Sequence, residues 1–161
     1  MKDYFPLSEG LVLEYRTRSS SAAGGYRFEV VSAATEGGTT RAHCRRTALP
    51  VGMPADLTIT KDARGVFLGE DLELPLPPER GRQWSRAPIT YRIDSLQAVK
   101  TVPAGTFRGC LRVAYLIAGG DGGSGERFYA PGVGLICDLR AEEDETSETV
   151  LTQARLPGGK T

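Results

Sequence analysis

Residues 11–18 read LVLEYRTR, in which Leu, Leu, Tyr and Thr alternate with Val, Glu, Arg and Arg. Successive side chains of a β-strand point to opposite faces, so this period of two predicts a strand with one buried face. The alternation returns in residues 26–30 (YRFEV), 89–94 (ITYRID) and 133–140 (VGLICDLR). No segment shows the stripe of an amphipathic helix. The pattern predicts an all-β protein.

Short segments rich in glycine and proline separate the predicted strands, such as EGGT at 36–39, DARG at 62–65 and PAGT at 103–106. Short connections favour antiparallel neighbours, because a parallel return needs a long crossover. Nine or ten strands are expected, and a sheet of that size curls, closes or splits into two layers. The sequence therefore predicts one antiparallel domain whose strongly curved sheet forms a half-open or closed barrel. A two-sheet β-sandwich is the alternative.

The chain has 161 residues, which suits a single domain over residues 1–157, with a tail at 158–161 that is expected to fray. Irregular structure is expected at 19–25 and, as its longest stretch, at 72–88. The 20 basic and 20 acidic residues balance, which excludes a strongly basic nucleic-acid binder. No apolar run is long enough for a membrane-spanning helix. The protein could be a monomer or an oligomer on these observations.

The first residues, MKDYFP, lack the apolar core of a secretory leader, which favours a cytoplasmic protein. An envelope protein whose leader has been removed is the alternative. Cys44, Cys110 and Cys137 are widely spaced and match no zinc or redox motif. Reduced, buried thiols are the simplest interpretation, and one disulfide with one free thiol is the alternative.

No pattern indicates a catalytic, metal or cofactor site. The glycine-rich run 119–125 lacks the Gly-Lys-Ser/Thr ending of a phosphate loop, and a strand follows it instead of a helix. His43 is the only histidine and is expected on an exposed strand face, opposite Cys44. The acidic run 142–148 is a solvated loop or, as the alternative, a weak divalent-cation site. These observations predict a protein that is not an enzyme and has no cofactor.

One candidate site lies in the proline-rich segment. Three arginines surround the only tryptophan and are candidates for binding an anion or a protein partner, namely Arg80, Arg82 and Arg86 around Trp84. The alternative is that Trp84 tucks the segment onto the barrel. Residues 75–80 (PLPPER) also fit the pattern of a polyproline ligand. So short a match occurs by chance in any proline-rich segment.

A second candidate site is the concave face of the sheet, where six aromatic residues are expected to point inward: Tyr15, Tyr26, Phe28, Tyr91, Tyr115 and Tyr129. They either line a ligand pocket or form a filled core. The hypothesis is a non-enzymatic domain that binds an apolar or amphipathic ligand, or a partner segment. A structural module that self-associates through an edge strand is the alternative, and a hydrolytic enzyme is less favoured.

Several turn-and-strand segments show a resemblance to other proteins. They are YFPLSEG at 4–10, TVPAGTF at 101–107, CLRV at 110–113 and FYAPGVGLI at 128–136. Together they resemble a loose group of uncharacterised bacterial all-β proteins, often envelope lipoproteins, in which a VPAGTF hairpin precedes a YAPGVGL turn. The resemblance implies an all-β fold and carries no catalytic residues.

Overall fold

The protein is described by a computed structural model over residues 2–119 and 122–158. Within these ranges the chain forms twelve β-strands and no helix, so none of the described residues belongs to a helix that could cross a membrane. The all-β prediction is confirmed. The strand count exceeds the nine or ten expected.

The strands vary from 4 to 14 residues in length. In chain order they are β1 (Val12–Ser19), β2 (Ala23–Glu36), β3 (Thr39–Leu49), β4 (Pro54–Asp62), β5 (Gly65–Leu68), β6 (Asp71–Pro75), β7 (Gln83–Arg86), β8 (Ile89–Val102), β9 (Gly105–Ile117), β10 (Gly123–Ala130), β11 (Gly134–Ala141) and β12 (Thr146–Arg155).

The strands make one antiparallel sheet in the order β6-β5-β4-β3-β2-β1-β12-β11-β10-β9-β8-β7. Strands that follow one another in the chain pair with each other except β6 and β7, and β1 also pairs with β12. The sheet curves until its two edges, β6 and β7, adjoin. The result is a nearly closed barrel, which confirms the barrel prediction over the sandwich alternative.

The seam of the barrel is the line where β6 meets β7. No backbone ladder joins these two strands in the described part of the chain. An ion pair crosses the seam instead, with Arg86 Nη1 of β7 lying 3.3 Å from Glu73 Oε2 of β6. Because the two edges face each other, neither offers a long free ladder to another molecule, which weighs against self-association through an edge strand.

The segment before β1 packs against one end of the barrel. Tyr4, Leu7 and Leu11 are buried there. The backbone amide of Gly132 donates to the Asp3 carbonyl at 2.7 Å, and the Lys61 ammonium lies 3.0 Å from the Asp3 carboxylate. The segment thus closes the end of the barrel at which β10 ends and β11 begins.

Two stretches expected to be irregular are more regular than predicted. Residues 72–88 contain most of β6 and all of β7, and the loop expected at 19–25 shrinks to residues 20–22. Prolines are tolerated on edge strands, where ladder donors are not all needed, so the proline content of 72–88 concealed two edge strands. Of the tail at 158–161, only Gly158 is among the described residues.

The turn predicted at 36–39 is confirmed. Gly37 and Gly38 have φ of 60° and 81°, the left-handed conformation that the two central residues of a type I′ hairpin require. Glycine takes this conformation without a side-chain clash. The turn joins β2 and β3, whose register runs from Glu36↔Thr39 to Gly25↔Leu49.

Candidate functional site

The six aromatic candidates lie on the inner face of the barrel, and four of them form two ring pairs. The Tyr15 and Tyr26 rings stack with centroids 4.7 Å apart, and those of Tyr91 and Tyr115 are 5.7 Å apart. Tyr26 and Phe28 are half-buried, and the others are at most 5% exposed: Tyr15, Tyr91, Tyr115 and Tyr129. This packing is what the filled-core alternative describes.

A charged network crosses the interior beside these rings. Arg127 of β10 places Nη1 3.0 Å from Glu73 Oε1 and Nε 3.2 Å from Asp138 Oδ2. Asp138 also accepts a hydrogen bond from the Tyr115 hydroxyl at 2.7 Å. Because Glu73 lies on β6 and Asp138 on β11, one guanidinium joins the two sides of the seam from inside the barrel. Buried charges are tolerated only when paired in this way.

Aromatic faces surround the same guanidinium. Arg127 Cζ lies 5.4 Å from the centroids of both Tyr91 and Tyr115, within the range of cation–π attraction. Trp84 of β7 stacks on Tyr91 at 5.2 Å with 12° between the ring planes. Arg127 is therefore fixed by two carboxylates and two aromatic rings, which gives the interior a rigid centre.

Gly125 makes room for one of these rings. It lies opposite Tyr115 in the β9–β10 register. A Cβ atom placed on Gly125 would be 2.2 Å from Tyr115 Cζ and 2.5 Å from the Leu139 carbonyl oxygen. The Tyr115 ring therefore lies over a strand position that has no side chain, and from there its hydroxyl reaches Asp138.

Burial controls the titration of the interior groups. It raises the pKa of Tyr15, Tyr115 and Tyr129 above the usual tyrosine range, and nearby Arg127 offsets part of this rise for Tyr129. Burial also raises the pKa of Cys44 and Cys137 to about 11. These hydroxyls and thiols are neutral at neutral pH, as a core requires.

We expect the free energy of unfolding to fall as the pH rises above 9. In the unfolded chain the thiols lose their protons near pH 9.0 and the tyrosines near 10.0, whereas in the fold both stay protonated to higher pH. The stabilisation is complete below pH 9 and is lost toward pH 11, by roughly 2 kcal/mol for each of the two thiols. Urea unfolding at pH 8.5 and 10.5 measures this loss. An unchanged urea midpoint would contradict it.

The arginine–tryptophan candidates do not form one cluster. Trp84 and Arg86 point into the barrel, toward Tyr91 and Glu73. Arg82 donates to the Pro77 carbonyl at 2.9 Å, and Arg80 is exposed. Arg80 and Arg82 precede β7, which begins at Gln83, so the alternation along this strand brings only Trp84 and Arg86 together on the inner face.

The remaining sequence candidates take structural positions. His43 is exposed, 3.5 Å from Asp56, as expected for an outward strand residue. All three cysteines are free and buried, which confirms the simplest interpretation. The described residues contain no cluster of three metal-ligating side chains. Of the glycine-rich run 119–125, residues 120 and 121 lie outside the described ranges.

A groove of about 1,090 Å³ opens on the outer face of the sheet, across β8–β12 and the end of β1. The alternation places it there: Tyr91, Tyr115 and Arg127 point inward, so the side chains adjacent to them in sequence point outward. Leu116 is 66% exposed within this groove. An exposed leucine in a concave surface is typical of a binding site.

The strand register arranges the groove side chains in rows. One row reads Arg92, Ala114, Glu126, Leu139, Glu148 and Arg18, and a second reads Thr90, Leu116, Ser124, Ala141 and Thr146. The side chains of β9 and β11 are apolar in both rows, and those of β8, β10 and β12 are polar. The groove thus combines two apolar stripes with charged and hydroxyl-bearing borders, and it suits an amphipathic molecule.

No pattern in the sequence indicates this groove. Residues 110–118 are apolar on nearly both faces, which favours a central strand covered on both sides at its end. That expectation is wrong for Leu116, because the sheet leaves the outer face of β9 open to solvent at this point. One sequence feature could have indicated the groove: Leu116 is an apolar residue on the outer face, and no predicted helix or strand was available to cover it.

No protein-family model and no curated protein matches the sequence. Among solved structures, the chain is similar to a predicted exported protein with a YmcC-like fold from Bacteroides fragilis, with a TM-score of 0.73 and 14% identity over 96% of this chain and 99% of that one. It is also similar to a predicted lipoprotein from Parabacteroides distasonis, with a TM-score of 0.66 and 16% identity over 95% and 98%. This chain has the same fold.

The comparison agrees with the resemblance to bacterial all-β proteins of unknown function and corrects one expectation. The two similar proteins are described as exported and as a lipoprotein. The cytoplasmic location expected from the first residues is therefore contradicted. The absence of an apolar leader in residues 1–6 was a weak basis for that expectation, because a leader is removed from a mature exported protein.

Proposed function

We propose that the protein is a non-enzymatic binding domain of the bacterial cell envelope that holds an amphipathic small molecule in the outer groove. One observation carries the proposal: Leu116 is 66% exposed inside a concave surface of about 1,090 Å³. That volume is at the upper end of small-molecule sites, which are about 300–1,000 Å³. Covering the apolar stripes of β9 and β11 removes hydrocarbon from water and supplies the binding energy.

The charged groups of the groove support binding rather than catalysis. Glu126 accepts a hydrogen bond from Arg112 Nε at 3.0 Å, and Arg92 lies 2.8 Å from Asp94. Both carboxylates are thus engaged by guanidiniums of the protein. These pairs border the groove and leave its apolar stripes as the contact surface.

Two considerations support the envelope location: the amphipathic character of the proposed ligand and the two similar structures. Amphipathic molecules concentrate at membranes, where exported proteins and lipoproteins meet them. The description of both similar proteins as exported or lipid-anchored supports this location. Fractionation of the native host, with immunodetection of the protein, tests it, and a protein found only in the cytoplasm would overturn it.

Binding is tested with dansyl-labelled undecanoic acid and its methyl ester, which share one apolar chain. We expect at least one of them to bind the protein with a rise in dansyl fluorescence. Leu116→Glu puts a charge where the chain packs, so the Kd should rise at least about tenfold, which is 1.4 kcal/mol. Val99→Glu is the matched control, because Val99 is 52% exposed and is not among the groove residues.

Two results would overturn the proposal. One is that neither probe binds up to its solubility limit. The other is that Leu116→Glu binds the probes as well as the Val99→Glu control does. A dimer in light scattering that Leu116→Glu dissociates would also overturn it, because the groove would then be an interface between copies of this chain.

A further inference from the structure

We propose that the ligand of the groove is an anion whose charged head group binds at Arg18, with its apolar chain extending from there over Leu139 toward Leu116. This inference rests on the proposed function and adds the polarity of the ligand and the direction in which it lies. Arg18 is the last charged residue of β1, at one border of the groove.

The other arginines of the groove are engaged by carboxylates. Arg92 lies 2.8 Å from Asp94, Arg112 lies 3.0 Å from Glu126, and Arg140 lies 3.0 Å from Glu142. Within residues 2–119 and 122–158, no carboxylate oxygen lies within 4.0 Å of the Arg18 guanidinium. Arg18 is thus the groove arginine whose hydrogen-bond donors are open to a ligand.

The charge balance at this border favours an anion. Glu148 lies opposite Arg18 in the register, but it is 4.0 Å from Arg16 on the same face of β1. On this face one carboxylate therefore lies between two guanidiniums, while Glu145 of the turn before β12 is held by the Ser21 hydroxyl at 2.8 Å. An arginine binds carboxylate or phosphate oxygens with two parallel N–H donors. A single carboxylate on the protein does not occupy all the donors of two arginines.

Hydroxyl groups surround the same end of the groove. The hydroxyl-bearing residues on this side are Ser20 and Thr146, which border the groove beside Arg18. Hydroxyls donate hydrogen bonds to anion oxygens without adding charge. At the opposite border, Arg92 and Arg112 form an ion-pair network with Asp94 and Glu126, in which each guanidinium has a carboxylate partner.

The distances suit a single-chain amphiphile. Strands are spaced about 4.8 Å apart, so Leu139 on β11 is two strand spacings, or about 10 Å, from Arg18, and Leu116 on β9 is four spacings, or about 19 Å, away. The two apolar stripes therefore lie successively along a chain whose head group is held at β1. The head group stays at the edge of the groove, where water completes its solvation.

The test compares dansyl-labelled undecanoic acid with its methyl ester on three proteins: the unchanged chain, Arg18→Gln and Arg92→Gln. The two substitutions change the net charge equally at opposite borders of the groove. We expect the unchanged protein to bind the acid about tenfold more tightly than the ester, since a charge-assisted hydrogen bond is lost in the ester. Arg18→Gln should remove this preference, and Arg92→Gln should keep it.

The outcomes separate this inference from the proposed function. If both probes bind the unchanged protein equally, or if both substitutions weaken the acid equally, the head group is not read at Arg18 and the inference fails, while the binding function stands. If neither probe binds, the binding function itself fails. If the ester binds more tightly than the acid, the groove selects neutral ligands and the assigned polarity is wrong.

Discussion

Replacing Arg127 with methionine is expected to lower the free energy of unfolding by about 1–3 kcal/mol, between the costs of breaking an exposed and a fully buried ion pair, because Arg127, Glu73 and Asp138 are 17%, 19% and 24% exposed. The substitution leaves Glu73 and Asp138 in the barrel interior without their shared cation. It also removes the contact that ties β10 to β6 across the seam. Urea unfolding, followed by tryptophan fluorescence, measures the loss, because Trp84 lies beside this network.

Arg112→Met is the matched control for Arg127→Met. Arg112 also pairs with two carboxylates, Glu126 and Asp94, but on the outer face, where its side chain is 38% exposed. Exposed ion pairs contribute about 0–1 kcal/mol, so a small loss is expected.

Adding Asp138→Asn to Arg127→Met should restore part of the lost stability, because the carboxylate left without a cation is then gone, whereas Glu73 keeps Arg86 as its partner. Equal losses for Arg127→Met and Arg112→Met would show that the interior network does not hold the barrel.

Gly125→Ala is expected to destabilise the fold by about 2–4 kcal/mol, through overpacking and loss of a buried hydrogen bond. The new Cβ would be 2.2 Å from Tyr115 Cζ and 2.5 Å from the Leu139 carbonyl oxygen. The ring can rotate away only by giving up the Tyr115–Asp138 hydrogen bond. The carbonyl belongs to the neighbouring strand, so β10 and β11 must move apart to relieve the second contact.

Ser124→Ala is the matched control, since Ser124 precedes Gly125 on the same strand and is exposed on the outer face. Little change is expected there. Combining Gly125→Ala with Tyr115→Leu should destabilise less than the sum of the two single changes, because the shorter side chain removes one of the two clashes. Strict additivity would show that Tyr115 does not occupy the space over Gly125.

The period-two alternation predicted the fold class because it follows from strand geometry alone. Residues 11–18 and 26–30 read as half-buried strands, and β1 contains residues 12–18 and β2 residues 26–30. The pairing of β1 with β12 could not be predicted, since it joins residues as far apart as Val12 and Arg155 through contacts that no local pattern encodes. The prolines in 72–88 led to a prediction of irregular structure where β6 and β7 lie. Proline is excluded from central strands, but edge strands tolerate it.

The site was harder to predict than the fold. Glu126 and Arg127 are adjacent charged residues on one strand, and alternation requires one of them to face inward without saying which. The carboxylates that accept Arg127, Glu73 and Asp138, come from distant strands. The groove depends on the curvature of the whole sheet, so Leu116 could be read from sequence only as one more core residue. Sequence therefore located the inner aromatic residues but not the outer surface that we propose binds the ligand.

Ten of the eleven hydrogen-bonded strand pairs of the described chain join strands that follow one another directly. Such hairpins close short loops, which form quickly and with little entropy to lose. The β1–β12 pair instead closes a loop that spans almost the whole chain. Within each of the two meanders, β1–β6 and β7–β12, the pairings are local, so we expect the joining of β1 to β12, a pairing of high contact order, to limit the rate of folding.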